Sequence, residues 1–416
     1  MLCARRIVIG INPPAHLTTT IETIGGAGMA ELSDVKKLVL SLSDREIIAL
    51  LGLQRKNSSP KANSKEKNAC RWIDKQISGL NTEGLSHLKE LEAQLNDISS
   101  AHHVDKKQVR YLRSLRKMKL EVPQFFRESV EPKQLYNHLK SFCLSHDIPD
   151  EIICRVVPAL VTYIETGHMR PIIFVGEKGC GKTTAVRMLV EEALKIPTEI
   201  IKVPQTDGGH GMTGDCGVYQ SSDVGCIAKA RLRANSLLVA YIFDEIDKVT
   251  HDRNRANVDD ELLSITDESN TDVFDNYLET TLVGLEHCPM FFTANDLQKV
   301  NPILADRCMV ITFPNASASR IKSISKKYAE EKLASSLYSM IEFNYELMFK
   351  TIDRLVDRNI TSLRKHQQMI EAVLENALDV ALIQEDSTTV AVTESMFSEA
   401  EQAILGTVKR KVGFST

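Results

Sequence analysis

The chain has 416 residues, of which 43% are hydrophobic and 25% are charged, and its formal net charge is −4. This is the composition of a globular protein that is long enough for two or three domains. The small net charge gives no whole-chain argument for binding to nucleic acid or to an anionic membrane surface. No apolar run approaches the roughly 20 residues that span a bilayer, so we predict no membrane association.

The nine cysteines are scattered along the chain and form no C-x-x-C pair. Disulfide frameworks and zinc sites use close, paired spacings, so this pattern indicates reduced thiols. We therefore expect a cytoplasmic protein.

Residues 1–28 differ from the rest of the chain. Arg5 and Arg6 precede the run IVIGI, which is shorter than the apolar region of a secretory signal peptide. The stretch is rich in threonine and has one acid, Glu22, which leaves an organellar transit peptide open. We interpret it as a leader that is disordered or not translated, because MAELSDVKKLVLSL, from Met29, reads as a natural beginning.

Residues 29–121 are predicted to form a helical N-terminal domain, since they show no strand alternation. Leucines recur at three- and four-residue spacing, at Leu85, Leu88, Leu91 and Leu95. The segment beginning VPQFFRESVEP is predicted to be a linker over residues 122–134.

A basic stripe lies on one predicted helix of this domain and consists of Lys106, Arg110, Arg113 and Lys117. Such a stripe can contact phosphates of a nucleic acid. More often it is a solvated face or pairs with acidic neighbours, so nucleic acid is kept as an alternative partner.

From about residue 135 short β-branched runs alternate with helical stretches. The predicted strands are PIIFV, TEIIKVP, SLLVAYIF, MFFTAN and MVITFP. Strands that alternate with helices form a parallel sheet covered on both faces, so residues 135–314 are predicted to be an α/β subdomain. Residues 315–416 return to amphipathic helices, with one short strand at TTVAVT, and are predicted to form a small helical lid.

Residues 176–183 read GEKGCGKT, between a predicted strand and a predicted helix. This is the phosphate-binding loop G-x-x-x-x-G-K-[ST] in its required context, which predicts a P-loop NTPase that binds ATP. Backbone N–H groups of the loop and the positive end of the helix dipole bind phosphate oxygens. Lys182 is predicted to neutralise the β- and γ-phosphates, and the Thr183 hydroxyl to ligate Mg²⁺. The predicted nucleotide-binding residues are Gly176, Glu177, Lys178, Gly179, Cys180, Gly181, Lys182, Thr183 and Thr184.

A second element predicts hydrolysis. The apolar run SLLVAYIF ends in Asp244 and Glu245, and a carboxylate at that end of a strand lies beside the phosphate loop. We predict that Asp244 holds Mg²⁺ through water and that Glu245 orients the attacking water. Asn295 ends the run MFFTAN, where its amide can position the same water.

The order of these elements resembles that of the AAA+ ATPases, and residues 203–314 are similar to the ATPase module of Lon. Tyr219 lies 25 residues before Asp244, at the spacing of the aromatic residue on the pore-facing loop of Lon. The stretch LLSITDESNTDVFDNYLE, residues 262–279, resembles the family segment L-x-x-x-D-P-E-Q-N-x-x-F-x-D-x-Y-L. FFTANDLQKVNPILADRCMVI is similar to the sensor-1 strand and arginine-finger stretch of the family.

The resemblance, which covers about residues 145–406, implies further roles. Asn295 corresponds to sensor 1, and Arg307 to the finger that reaches the nucleotide of a neighbouring subunit. Arg364, within SLRK, resembles the sensor-2 arginine of the lid. The stretch SHDIPDEIICRVV occupies the place where the family lines the adenine. The family also implies a homo-oligomeric ring, which we expect to be a hexamer.

The chain departs from Lon at several positions. Glu177 and Lys178 replace the usual Pro-Pro of the phosphate loop, and Gln220 and Ser221 follow Tyr219 in place of an apolar residue and glycine. The N-terminal residues do not resemble the Lon substrate-binding region. The chain ends at Thr416, where Lon continues into a peptidase domain, so we expect ATPase activity without peptidase activity.

Three hypotheses of function follow. The first is a ring ATPase that remodels or unfolds a protein substrate through a central pore and binds a partner through its N-terminal helices. The alternatives are an ATPase that acts on nucleic acid, as a loader or a transposition or defence regulator, and an ATP-dependent switch. A switch would bind ATP and turn it over very slowly.

Overall fold

The structure, a computed structural model, describes residues 77–97, 104–120, 131–203, 210–215, 222–248, 258–267, 272–383 and 389–406. The predictions for the leader 1–28, for residues 29–76 of the helical domain and for Tyr219 fall outside these ranges. They stay predictions.

Nine strands are present among the described residues. They are β1 Ile172–Val175, β2 Thr198–Lys202, β3 Ala240–Asp244, β4 Val273–Asp275, β5 Thr280–Leu282, β6 Met290–Ala294, β7 Met309–Thr312, β8 Ile341–Glu342 and β9 Val390–Ala391. Five of them form a parallel sheet in the order β2–β3–β6–β1–β7. The predicted α/β sheet is therefore confirmed, with all five of its predicted strands.

The helices of the described residues surround this sheet and build the lid. They are α1 Thr82–Asn96, α2 Lys106–Lys117, α3 Pro132–Ser145, α4 Asp150–Thr166, α5 Lys182–Arg187, α6 His210–Thr213, α7 Cys226–Ala234, α8 Val258–Ile265, α9 Pro302–Arg307, α10 Ala318–Leu333, α11 Tyr345–Asp357, α12 Leu363–Ile383 and α13 Glu394–Ile404. A π-helical turn, Met188–Ala193, continues α5. Across the ranges that the structure describes, no helix has the length and apolar character needed to cross a membrane.

The sheet is apolar because helices cover both of its faces. All five residues of the central strand β6 are buried. The Phe243 ring of β3 stacks on Phe292 of β6 with centroids 5.1 Å apart, and Phe174 of β1 stacks on Phe291 at 6.4 Å. These contacts fix β1, β3 and β6 side by side, and the chain leaves all three strands at the same edge of the sheet.

The buried apolar side chains of the described residues form two separate cores. One cluster of buried apolar side chains runs from Leu80 to Phe313, and the other begins at Ala316 and involves α10–α13. Side-chain caps start two lid helices: Ser317 accepts a hydrogen bond from the Arg320 N–H, and Asn344 accepts one from the Leu347 N–H. We refer to the helices of this second core, α10–α13, as the lid.

The strand predicted at TTVAVT is shorter than expected. Only Val390–Ala391 is extended, as β9, and it pairs in parallel with β8. The sequence did not identify β8, whose two residues are too few for an alternating pattern. It also did not identify the antiparallel hairpin of β4 and β5, whose three-residue strands are equally short.

The described part of the predicted N-terminal domain shares a core with the α/β subdomain, and the predicted domain boundary at residue 121 stays a prediction. Helix α2 buries Val109, Leu112 and Leu115 in the same cluster as the sheet. The Gln108 amide donates a 2.8 Å hydrogen bond to the Tyr277 carbonyl. The apolar faces of α1 and α2 are therefore buried in the same cluster as the α/β layer.

Helix α3 begins at Pro132, inside the stretch 122–134 that was predicted to be a linker. Pro132 occupies the first turn of α3, where the N–H that proline lacks would have no intrahelical acceptor.

Candidate nucleotide site

Three strand ends bring the predicted catalytic residues together. The phosphate loop follows β1, Asp244 ends β3, and Asn295 follows β6. Strand β6 pairs with both β1 and β3, so these residues meet at the carboxyl edge of the sheet, where ligands of open α/β sheets bind.

The phosphate loop requires its glycines. Gly179 has φ 84° and Gly181, which caps α5, has φ 101°, both in the left-handed region that favours glycine. A Cβ at position 179 would lie 2.2 Å from the Ser362 hydroxyl oxygen. The Leu363 N–H donates to the Gly179 carbonyl at 2.9 Å, so the start of α12 in the lid contacts the loop directly.

Lys182 is curled into the loop. Its ammonium donates to the carbonyls of Gly176 at 2.7 Å and Glu177 at 2.9 Å, and to the Asn295 amide oxygen at 3.2 Å. Burial lowers the pKa of Lys182, although nearby acidic groups, including Asp244, favour its charged form. A cation buried in this way is held where phosphate oxygens would replace the loop carbonyls as its acceptors.

Thr183 and Asp244 form a hydroxyl–carboxylate pair. The Thr183 hydroxyl donates to Asp244 Oδ1 at 2.8 Å, and the Thr293 hydroxyl donates to the same oxygen at 2.6 Å. Magnesium prefers oxygen ligands and in phosphate sites takes only one or two from the protein. The donor set of Thr183 and Asp244 therefore fits Mg²⁺ bound together with a nucleotide.

Glu245 has a left-handed backbone conformation, with φ 62°. Such a conformation costs a residue other than glycine about 1–2 kcal/mol. Its side chain pairs with Lys248, Nζ to Oε1 at 2.5 Å, and its N–H donates to the Thr293 hydroxyl at 3.0 Å. Backbone strain at the residue predicted to orient water is consistent with a functional position.

Asn295 lies between a cation and an acid. Its amide oxygen accepts from Lys182, and its amide nitrogen donates to Asp247 Oδ2 at 3.3 Å. The two contacts fix which end of the amide faces the phosphate loop. Asp247 was not among the predicted site residues, although its position three residues after Asp244 on the same acidic run was a signal for it.

A cavity of about 440 Å³ lies between the sheet edge and the lid. This volume is in the range of small-molecule sites. The predicted residues that line it are Lys178, Gly179, Gly181, Lys182, Thr183, Thr184, Asp244, Glu245, Asn295 and Arg364. Gly176, Glu177 and Cys180 do not line it, and the Cys180 side chain is buried beneath the loop.

The turn before α4 forms one wall of the cavity, within the stretch that the resemblance assigned to the adenine. His146, Asp147 and Ile148 line it. Two side chains of helix α10 in the lid bind this turn. Arg320 Nε donates to the Asp147 carbonyl at 2.7 Å, and Lys327 Nζ lies 2.5 Å from Asp147 Oδ2. The sequence did not identify Arg320 or Lys327, because nothing local relates α10 to a turn more than 170 residues earlier.

The last two predicted residues are Arg307 and Tyr219. Arg307, at the end of α9, does not line the cavity; it donates to the Leu263 carbonyl and lies 3.5 Å from Asp267 Oδ2. Tyr219 falls outside the residues that the structure describes.

Comparisons with known proteins agree with this geometry. Residues 172–316 match the family described as "ATPase family associated with various cellular activities (AAA)". The chain is 29% identical over 186 residues to a Lon protease of Mycoplasma mycoides, which is 43% of this chain and 22% of that protein. It is 25% identical over 201 residues to a Lon protease homolog of Acanthamoeba polyphaga mimivirus, 48% of this chain and 20% of that protein.

A longer alignment, with a Lon protease of Helicobacter pylori, has 24% identity over 254 residues and covers 58% of this chain and 30% of that protein. The chain thus spans less than a third of the length of these relatives. The match lies in the ATPase region.

The fold and the family match give the class of this region: residues 172–316 have an α/β P-loop fold and match the AAA ATPase family. That region resembles the ATPase module of Lon. AAA ATPases bind ATP, typically with Mg²⁺, and are typically oligomeric.

Proposed function

We propose that this protein hydrolyses Mg-ATP at the cavity between the sheet edge and the lid. The observation that supports this most is the convergence of Lys182, Thr183, Asp244, Glu245 and Asn295 on one cavity from three neighbouring strand ends. Lys182 would exchange its carbonyl acceptors for β- and γ-phosphate oxygens, and the N–H groups of the loop would bind the same phosphates.

Thr183 and Asp244 would hold the magnesium ion, which neutralises charge that develops on the phosphates. Glu245 would accept a proton from the attacking water, and Asn295 would orient that water. Arg364 of α12 would contact the phosphates from the lid side, as the sensor-2 position of the family implies.

Arg307 would complete the site of a neighbouring subunit. Its position away from its own cavity supports an action in trans, and such an arginine stabilises the transition-state charge of the transferred phosphoryl group. Full activity would then need a homo-oligomeric ring, which we propose is a hexamer.

We further propose that the ring remodels a protein substrate in the cytoplasm. This rests on the spacing of Tyr219 and on the similarity to Lon proteases. The N-terminal helices would bind the substrate or a partner. The absence of peptidase activity stays a prediction, and incubation with casein and ATP measures it.

The test is the ATPase rate per subunit as a function of protein concentration, with light scattering on the same samples. We expect the rate to rise as oligomers form. Glu245→Gln should bind ATP and lose turnover, and Arg307→Ala should lose turnover at every concentration with ATP binding intact. Arg358→Ala, which alters an exposed arginine paired with Glu401, is the matched control.

A rate that does not change with concentration or with Arg307→Ala would contradict the ring motor and favour the ATP-dependent switch. A wild-type rate that survives Glu245→Gln and Lys182→Ala would contradict the site itself.

Binding to nucleic acid is the second candidate function. Lys106, Arg110, Arg113 and Lys117 are all exposed on α2, and within the part of the chain that the structure describes Arg113 pairs with Glu92 at 2.7 Å. Nucleic-acid binding that weakens steeply with salt and is lost when these four residues are changed to glutamine would favour this function.

A further inference from the structure

Thr293 is a buried residue that forms hydrogen bonds with both acids of the site, Asp244 and Glu245. It lies on the central strand β6, and only 1% of its surface is exposed. Its hydroxyl oxygen accepts a 3.0 Å hydrogen bond from the Glu245 N–H and lies 2.6 Å from Asp244 Oδ1. An N–H only donates, so the hydroxyl proton of Thr293 points to the Asp244 carboxylate.

The two bonds fix different features of the site. The bond to Asp244, with the one from Thr183, gives Oδ1 two hydroxyl donors and sets the plane of the carboxylate. The bond from the Glu245 N–H holds the backbone of a residue whose own conformation is left-handed, with φ 62°. Such a conformation persists only where the surroundings stabilise it. The Thr293 hydroxyl therefore holds the N–H of Glu245 at the point where the side chain leaves the main chain.

We propose that Thr293 is a positioning residue for ATP hydrolysis: its hydroxyl sets the orientation of the metal-binding acid and of the water-orienting acid at the same time. This inference rests on the proposed ATPase function. It assigns to Thr293 no contact with the nucleotide phosphates, which Lys182 and the loop would bind.

Two substitutions separate the hydroxyl from the shape of the side chain. Thr293→Val keeps the branched shape and removes the donor and acceptor, whereas Thr293→Ser keeps the hydroxyl and removes a methyl group. We expect Thr293→Val to lower kcat at least about tenfold with KM for ATP changed less than about threefold. Thr293→Ser should stay within about threefold of the wild-type kcat.

A second measurement does not depend on turnover. Hydrogen–deuterium exchange of the nucleotide-free protein reports on the Glu245 N–H. We expect Thr293→Val to speed exchange of that amide at least about tenfold and Thr293→Ser to leave it close to wild type. The amides of Ile242 and Phe243, inside β3, serve as internal controls for global loss of structure.

The results separate the inference from the proposed function. Equal kcat in Thr293→Val and wild type, or equal loss in Thr293→Ser and Thr293→Val, would overturn the inference. If the wild-type protein does not hydrolyse ATP, the proposed function fails, and unchanged exchange at Glu245 in Thr293→Val would then overturn the inference on its own. If Thr293→Val does not fold, Thr293→Ala in the same two measurements replaces it.

Discussion

The guanidinium of Arg307 lies 3.5 Å from the Asp267 carboxylate of its own chain, and it also donates to the Leu263 carbonyl. Arg307, the arginine proposed to act on the nucleotide of a neighbouring subunit, therefore binds residues of its own subunit. Because both side chains are about one-third exposed, the ion pair contributes only modestly. Reaching a neighbouring nucleotide would require Arg307 to leave this contact.

We predict that Asp267→Asn lowers the protein concentration at which the ATPase rate is half-maximal, because it weakens the internal contact. An exposed pair contributes about 0.2–1 kcal/mol, so the shift should be at most about fivefold. The measurement is the concentration dependence of the rate. Asp260→Asn, an exposed acid on α8, is the matched control, and a higher half-maximal concentration in Asp267→Asn would contradict the prediction.

The lid contact at Asp147 gives a second prediction. Asp147 has φ 53°, and its carboxylate accepts from the Ser323 hydroxyl at 3.0 Å and pairs with Lys327. Since Asp147 lines the cavity, Lys327→Met should loosen the lid on this turn and raise the Kd for ATP by about two- to fivefold.

Titration with a fluorescent ATP analogue measures this effect. Lys326→Met is the control, because Lys326 is on the same helix and pairs with Glu330 at 3.8 Å, away from the turn. Asp147→Asn should resemble Lys327→Met, since asparagine tolerates a positive φ and lacks the charge. An equal effect of Lys326→Met would show that the helix, and not this contact, is responsible.

Cys180 gives a third prediction, about reactivity. Burial raises the pKa of its thiol, although Lys182 and Arg320 nearby favour the thiolate, and only 2% of the residue is exposed. The thiolate is the reactive form of cysteine. We therefore expect Cys180 to react with iodoacetamide at pH 7.5 at least about tenfold more slowly than the exposed Cys154.

Mass spectrometry of the two peptides over time measures both rates in the same sample. Cys180→Ala should keep ATPase activity, because the cysteine side chain does not line the cavity. Labelling of Cys180 as fast as Cys154 would contradict the prediction.

The convergence of many candidate-site residues on one cavity could be predicted because these residues lie in short local motifs. The phosphate loop, Asp244–Glu245 and Asn295 each follow an apolar strand, and parallel strands align their ends at one edge. The contact between α10 of the lid and Asp147 could not be predicted, since it depends on how α10 packs on a turn that is distant in sequence. The packing of α1 and α2 into the same buried cluster as the sheet was not predicted for the same reason: their leucine pattern indicates a buried face but does not identify what buries it.

Glu261 gives the last prediction, about stability and pH. Burial raises its pKa from 4.5 to about 7, although a hydrogen bond from the Thr213 hydroxyl opposes the shift. Because the folded-state pKa is above the unfolded value, the stabilising effect of the proton is fully present below pH 4.5 and is lost as the pH rises through about 7. Glu261→Gln keeps an acceptor for Thr213 and cannot ionise.

We therefore expect Glu261→Gln to be more stable than wild type at pH 8, on the order of 1–2 kcal/mol after discounting for partial exposure, and the difference to shrink toward pH 5. Urea unfolding at several pH values measures the free energy of unfolding of both proteins. Other titrating groups, including Asp275, whose pKa burial raises to about 6, are common to both and cancel in the comparison. Asp260→Asn is again the control on the same helix. A stability difference between Glu261→Gln and wild type that stays constant from pH 5 to pH 8 would show that Glu261 does not titrate in this range, and the burial argument would then be wrong.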